Sequence, residues 1–92
     1  MIVGEIETGD IQERLAQVLR KSILVVADER THEVIIREGG ETIGVYGGIR
    51  NVHRYAKAVM RDYAKKGFRV SGMWIGFRDG VYTHGDLEAD AE

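Results

Sequence analysis

The residues best suited to chemistry are a glycine pair and the cations that follow it. Gly47 and Gly48 come shortly before Arg50, and Arg54 lies four residues further on. A glycine turn at a helix start lets backbone N–H groups point at an anion, and arginines add positive charge. Asn51 is suited to capping that helix. The pattern predicts a site for a phosphate of a nucleotide or a nucleic-acid backbone. The alternative is an ordinary glycine turn before a helix.

The helix that follows this turn is predicted over residues 49–66. At about 100° per residue its apolar side chains share an arc of about 100°, the width of a core-facing stripe, and its cations share a second arc of about 80° beside it. His53 lies between the two arcs. The apolar stripe is Ile49, Val52, Ala56, Val59, Met60 and Tyr63, and the basic stripe is Arg50, Arg54, Lys57, Arg61 and Lys65. We therefore predict that the basic stripe, with Gly47, Gly48 and His53, binds an anionic partner.

The basic stripe is unfavourable for the helix that carries it. A like-charge pair at i,i+4, such as Arg50 with Arg54, costs roughly 0.2–0.5 kcal/mol in an isolated helix. Cations near a helix N-terminus cost roughly 0.3–1 kcal/mol more, because they oppose the helix dipole. A local rule broken without visible compensation marks a candidate functional site. The alternative is a solvated face that acids elsewhere in the fold neutralise.

Charge is strongly segregated along the chain, although the net charge is only −2. Residues 1–48 hold five Lys/Arg and nine Asp/Glu, a net −4. Residues 49–78 hold eight and one, a net +7, and residues 79–92 hold none and five, a net −5. Such a basic block indicates an oriented electrostatic surface, unless the acidic parts lie across it.

Length and composition predict one small globular domain. We assign residues 1–85 to it and expect residues 86–92 to be an acidic, frayed C-terminal tail. A chain of 92 residues buries a modest core, so a homodimer is compatible with it. The absence of cysteine excludes disulfides, thiolate metal sites and Cys nucleophiles, and fits a cytoplasmic protein. The longest apolar run, residues 23–27, is too short to span a bilayer, so we expect no membrane partner.

The first half of the chain is predicted to contain four elements that precede the glycine pair. A short strand over 2–8 is followed by a helix over 10–21, because Asp10 and Glu13 form a capping box before an apolar periodic segment. Residues 23–27 form a continuous branched apolar run, which is typical of a buried strand. Two further strands, over 33–38 and 41–46, flank a hairpin signal at Gly39-Gly40.

The second half adds the main helix and another hairpin. Residues 68–77 are rich in strand-forming residues, and Asp79-Gly80 is a tight-turn dipeptide that pairs Phe77 with Tyr82. The resulting order is β?-α-β-β-β-α-β-β. We therefore predict an α+β two-layer sandwich, in which an antiparallel sheet of four to five strands packs against two helices.

Trp74 stands in the predicted strand over 68–77, with Gly72 and Gly76 two residues to either side. Glycines at such places indicate a bulge or a close approach of another group. Trp74, Phe77 and Tyr82 are candidates for a partner-binding surface, since aromatics beside basic residues on a sheet stack on the bases of single strands. The alternative is that Trp74 belongs to the core or its rim.

Residues suited to metal binding or to catalysis are scarce. His32, His53 and His84 are far apart, and no two are spaced at i,i+3 or i,i+4. Ser22 and Ser71 are not in a nucleophile elbow, and no two carboxylates stand out as a general acid and base. We therefore expect no metal, no cofactor and no enzymatic activity.

The element order α-β-β-β-α in part resembles that of double-stranded-RNA-binding domains. Residues 44–48 (GVYGG) and 53–57 (HRYAK) are similar to that family's glycine-rich turn and its K-K-x-A-K helix start. The resemblance implies phosphate contacts by His53, Arg54 and Lys57. The chain departs from the family pattern in both of the first two lysines, in a glycine turn that is one residue longer, in the lack of a G-P-x-H loop, and in the long strand over 68–77.

The sequence thus predicts a small non-enzymatic binding protein. Its partner is nucleic acid or an acidic face of another protein, and its working surface is the basic side of the helix over 49–66. The alternative is an inhibitor or adaptor of the compact kind that mobile elements encode. It would bind one specific protein through the aromatic hairpin over 68–84 or through the acidic tail.

Overall fold

A computed structural model describes residues 22–89 and places six elements there. Their order, β-β-β-α-β-β, is the one predicted for this part of the chain. The strand predicted over 2–8 and the helix predicted over 10–21 lie outside the described residues, as do residues 90–92. The elements are β1 (Ser22–Asp28), β2 (Glu33–Glu38), β3 (Glu41–Tyr46), α1 (Val52–Lys65), β4 (Arg69–Arg78) and β5 (Val81–Leu87).

The five strands form one mixed sheet in the order β3-β2-β1-β4-β5. β1 is antiparallel to β2 but parallel to β4, so the prediction of an antiparallel sheet is wrong. After two hairpin reversals β3 runs parallel to β1. α1 then returns the chain across the sheet, and β4 starts beside the start of β1. Parallel neighbours require such a crossover, whereas a tight turn joins antiparallel ones. The described part of the sheet has one helix against it, where the prediction had two.

The two hairpins have the turns that the sequence predicts. Gly39 and Gly40 have φ values of 57° and 89°, and Asp79 and Gly80 have values of 55° and 78°. Positive φ at both central residues is the type I′ geometry, whose twist matches that of the flanking strands. Phe77 pairs with Tyr82, as predicted.

α1 packs on one face of the sheet through the predicted apolar stripe. Val52, Ala56 and Met60 are buried, and Ile49, Val59 and Tyr63 pack against them. The sheet contributes alternate residues, because successive strand residues point to opposite faces. These are Ile23, Val25 and Ala27 of β1, Val34 and Ile36 of β2, and Leu87 of β5.

The boundaries of α1 follow from its caps. The helix begins at Val52, three residues later than predicted, because Asn51 is the N-cap and its Oδ1 accepts a hydrogen bond from the Arg54 amide at 3.1 Å. The Ile49 amide donates to the His32 carbonyl at 3.0 Å, which ties the segment before α1 to the β1–β2 turn. At the other end Gly67 has a φ of 93°, the left-handed conformation expected after a helix.

β4 and β5 differ from the prediction in two details. β5 continues through Leu87, which is buried, so the first two residues of the predicted tail belong to the sheet. Gly72 marks a close approach and not a bulge, because a Cβ there would lie 2.6 Å from Met60 Sδ. No helical segment within residues 22–89 has the length and apolarity needed to cross a membrane.

Candidate functional site

The candidate site lies where the carboxyl ends of parallel strands β1 and β4 meet the start of α1. Glu29 follows β1, Arg78 ends β4, and His53 is in the first turn of α1. These residues are remote in sequence, and the crossover that makes β1 and β4 parallel brings them together. Ligands commonly bind beyond the carboxyl ends of parallel strands, so the location is suited to binding.

Glu29 is held by two cationic or polar partners. Arg78 donates from Nη1 to Oε1 at 2.6 Å and from Nη2 to Oε2 at 3.0 Å, and His53 Nε2 is hydrogen-bonded to Oε2. The Arg78 guanidinium, with His53, lowers the pKa of Glu29 to about 2. In turn Glu29 raises the pKa of Arg78. The carboxylate is therefore ionised at neutral pH, and its charge is balanced within the protein.

Trp74 and Gly76 shape the space around this ion pair. The Arg78 guanidinium carbon lies 4.2 Å from the centre of the Trp74 ring, a cation–π contact. The ring of His53 lies 6.1 Å from the same indole. A Cβ on Gly76 would clash with Glu29 Oε1, so only glycine leaves room for the carboxylate at this position. We call Arg78, His53 and the space above Gly76 the carboxylate cradle.

An open cleft borders the carboxylate cradle. Its volume is about 360 Å³. His32, on its rim, has a φ of 59°, an uncommon conformation for a residue with a side chain. The His32 carbonyl accepts a hydrogen bond from the Ile49 amide at 3.0 Å, which ties this rim residue to the segment before α1. The cleft is lined by Glu29, His32, Arg50, Asn51, Val52 and His53.

The predicted anion-binding residues fall into three groups in the structure. Gly48, Arg50 and Arg54 are exposed at the start of α1, and neither arginine has an ion pair with another residue in the range 22–89. His53 is hydrogen-bonded to Glu29. Gly47 is exposed but lies beside the Glu33 side chain. Further along the helix Lys65 is exposed, while Lys57 and Arg61 are half-buried and already make interactions of their own.

A pair of tyrosines beside Arg54 was not predicted. The rings of Tyr46 and Tyr55 lie 6.0 Å apart and are 46% and 38% exposed. Tyr55 and Arg54 line one shallow hollow on α1. The position of Tyr55 outside the core stripe was a sequence signal for exposure, but its contact with the end of β3 depends on the tertiary fold.

The three aromatic residues of the predicted partner-binding surface do not share a face. Phe77 and Tyr82 contact each other edge to face at 6.1 Å and are 54% and 52% exposed. They lie on the face turned away from α1, where Arg30 stacks on Tyr82. Trp74 lies on the α1 face, packed against the core. The structure therefore brings Phe77 and Tyr82 together and separates them from Trp74.

Other possible chemistry at this end of the molecule is limited. Among the described residues, no three His, Cys, Asp or Glu side chains are grouped as a metal site would require.

Glu29 and Arg78 were not singled out from the sequence, since neither lies in a motif and their contact spans 49 residues.

Comparisons with known proteins give no relative from which a role can be transferred. The chain matches no protein-family model, no curated protein and no solved structure.

Proposed function

We propose that the protein is a small binding protein for single-stranded nucleic acid. The strand would lie along the start of α1, with phosphates on Arg50 and Arg54 and with bases on Tyr46 and Tyr55. Lys65 extends the basic surface along the helix. The proposal keeps the predicted anionic partner and selects nucleic acid over an acidic protein face.

The observation that carries this proposal is the position of the exposed tyrosine pair beside Arg54. Single-strand binders combine cations that follow the backbone with aromatic rings on which bases stack, and each stacked base contributes about 1–3 kcal/mol. An acidic protein face would need the cations but not the rings. Nucleic acid is therefore the partner that uses both features.

The charge balance around the arginines supports the same partner. Glu29, which lines the cleft, is paired with Arg78 and hydrogen-bonded to His53. Asp28 is balanced by Arg30. Within residues 22–89 neither Arg50 nor Arg54 has an ion pair. Two exposed cations without a paired acid in this part of the chain favour encounter with a polyanion.

The test compares the affinity of variants for a labelled single strand of about 12 nucleotides, a length within the range that small modules cover. Fluorescence anisotropy at low salt gives the dissociation constant. We expect Arg50→Gln/Arg54→Gln to weaken binding by about tenfold or more, since each charge-assisted phosphate contact contributes on the order of 1 kcal/mol. We expect Tyr55→Leu to weaken it by a comparable factor.

The matched control is Lys66→Gln/Arg69→Gln. It removes the same charge from exposed positions beyond the far end of α1, so it reports the contribution of net charge alone. Equal losses in the two double variants would reject the site, and no binding by the wild type would reject the function.

A second candidate function is binding of one specific protein through the tip of the β4–β5 hairpin. Phe77 and Tyr82 share one face of the hairpin and are each more than half exposed, and adjacent exposed apolar side chains mark interaction surfaces. The test is affinity capture with the wild type and with Phe77→Ser/Tyr82→Ser. Trp74 is a poor probe for this purpose, because its removal would disturb the core. Retention of the same partner by the double variant would reject the hairpin as its binding surface.

A further inference from the structure

We propose that the carboxylate cradle is a phosphate-binding site that the protein's own Glu29 occupies until a phosphate group displaces it. The inference deepens the proposed function and rests on it for the identity of the natural ligand. The cradle supplies a second kind of contact beside the exposed arginines, and Glu29 sets how readily that contact forms.

The partners that hold Glu29 present donor groups that are equally suited to phosphate. A guanidinium presents two parallel N–H donors, which match the two oxygens of a carboxylate and equally two oxygens of a phosphate. Arg78 uses both donors on Glu29, and His53 supplies a third contact on the same oxygen that Nη2 reaches. The groups that bind this carboxylate are those that bind phosphate.

Gly76 leaves space for an anionic group beside Arg78. The residue leaves a gap that a single Cβ would close, and the Glu29 carboxylate fills it. Stacking on Trp74 orients the Arg78 guanidinium, so the donors stay aimed at the same position when the carboxylate leaves. A preorganised donor set of this kind loses little conformational freedom on binding.

The side chains of the carboxylate cradle and of Glu29 are accessible from solvent. The side chain of Arg78 is 49% exposed, that of His53 is 35% exposed, and that of Glu29 is 25% exposed. Glu29 and His53 also line the cleft that holds Arg50. A phosphate that enters beside Arg50 therefore meets the carboxylate cradle directly, and Glu29 can swing into water without disturbing the core.

Competition by Glu29 has a measurable consequence. When the binding-competent state is only a fraction of the population, the apparent dissociation constant rises by the inverse of that fraction. If Glu29 occupies the cradle about nine-tenths of the time, its removal strengthens phosphate binding about tenfold. Glu29 would thereby raise the apparent dissociation constant for single isolated phosphates.

Trp74 provides the readout, because it is the only tryptophan in the chain and Arg78 stacks on it. We would titrate the wild type and Glu29→Ala with inorganic pyrophosphate, and separately with the unlabelled single strand, and follow indole fluorescence. Glu33→Ala is the matched control, since it removes the same charge at the same end of the sheet but leaves the cradle filled. Circular dichroism verifies the fold of each variant, and Glu29→Ser, which also empties the cradle, serves if Glu29→Ala is unstable.

We expect Glu29→Ala to bind pyrophosphate about tenfold more tightly than the wild type and Glu33→Ala to bind it like the wild type. Arg78→Gln in the Glu29→Ala background should abolish the gain. A gain with the single strand as well identifies backbone phosphates as ligands, and a gain with pyrophosphate alone identifies terminal or free phosphate. Equal gains in Glu29→Ala and Glu33→Ala, or none in either, would overturn the inference.

These outcomes separate the two proposals. If single-strand binding depends on Arg50 and Arg54 but Glu29→Ala brings no gain, the inference fails and the proposed function stands. If Glu29→Ala binds pyrophosphate tightly while no variant binds a single strand, the cradle stands and the proposed function fails.

Discussion

Asp28 and Glu29 are neighbours in the chain, and each is paired with an arginine. One arginine is close in sequence and the other is distant. Asp28 points away from α1 and is paired with Arg30, two residues on, which donates from Nε and Nη2 at 3.1 and 3.0 Å. The Arg30 amide adds a third hydrogen bond. Glu29 points towards α1 and is paired with Arg78 and His53, which lie 49 and 24 residues away.

Asp28 is placed for a structural role and Glu29 for a role in binding. Asp28 is 4% exposed, and its three bonds fix the turn between β1 and β2. Glu29 borders an open cleft and connects the ends of β1, α1 and β4. We infer that the local pair mainly stabilises the fold and that the long-range pair mainly controls a surface. Four predictions test this distinction.

The largest effect is expected from Asp28→Ala. It deletes a buried carboxylate with two charge-assisted bonds and one backbone bond, so we expect the free energy of unfolding to fall by about 2 kcal/mol. Glu29→Ala should lower it by only about 1 kcal/mol, because its partners can turn to water. Urea denaturation of both variants measures the difference. A greater loss in Glu29→Ala would reverse the assignment of roles.

Gly76→Ala should disrupt the Glu29 pair without changing any charge. The new Cβ would clash with Glu29 Oε1 and push the carboxylate off Arg78. We expect the free energy of unfolding to fall by about 1 kcal/mol. In the Glu29→Ala background the same substitution should be nearly neutral to stability. A double-mutant cycle measured by urea denaturation reports this coupling. Additive losses would mean that the carboxylate does not fill the space above Gly76.

Acid should weaken the Glu29 pair in a defined pH range. The pKa of Glu29 is lowered from 4.5 to about 2, so its contribution to stability is complete above about pH 5 and is lost as the pH falls towards 2. Because the pair is partly exposed, we expect about 1 kcal/mol to be lost and not the full value of the shift. Urea denaturation at about pH 6 and about pH 3 should therefore show a smaller acid loss in Glu29→Gln than in the wild type. Identical losses would contradict the assignment.

The smallest effect, no change at all, is expected when the phosphate titration is repeated with Asp28→Asn. Asp28 lies across the sheet from the carboxylate cradle, so pyrophosphate should bind this variant as it binds the wild type. The indole fluorescence titration measures this directly. A gain like that expected of Glu29→Ala would show that any loss of acid at this end strengthens phosphate binding.

Local patterns made much of the fold predictable. The core stripe of α1, both type I′ hairpins and the register of Phe77 with Tyr82 follow from periodicity and turn chemistry, which act over a few residues. The Asp28–Arg30 pair joins residues only two positions apart, so it is equally local. The parallel pairing of β1 with β4 was missed, although a helix between two strands is the usual sign of a crossover.

The contacts of the candidate site were less predictable, because they too depend on which elements become neighbours in the fold. Arg50 and Arg54 lie in one segment with a recognisable pattern, so their spacing identified them as candidate anion-binding residues. Glu29 contacts Arg78 only because the crossover through α1 places β4 beside β1. If β4 had paired with β3 at the other edge of the sheet, the two residues would lie apart. The contact of Tyr46 with Tyr55 has the same origin, since it joins the end of β3 to α1. Such contacts depend on topology, which no local pattern specifies.

The salt dependence of single-strand binding tests the central claim most directly. For single strands the logarithm of affinity falls with the logarithm of salt concentration by about 0.7 for each neutralised phosphate. We predict a clear negative slope for the wild type and a slope shallower by about 1.4 for Arg50→Gln/Arg54→Gln, as expected when two phosphate contacts are lost. An equal slope in the two proteins, or wild-type binding that ignores salt, would contradict the assignment of phosphate contacts to the start of α1.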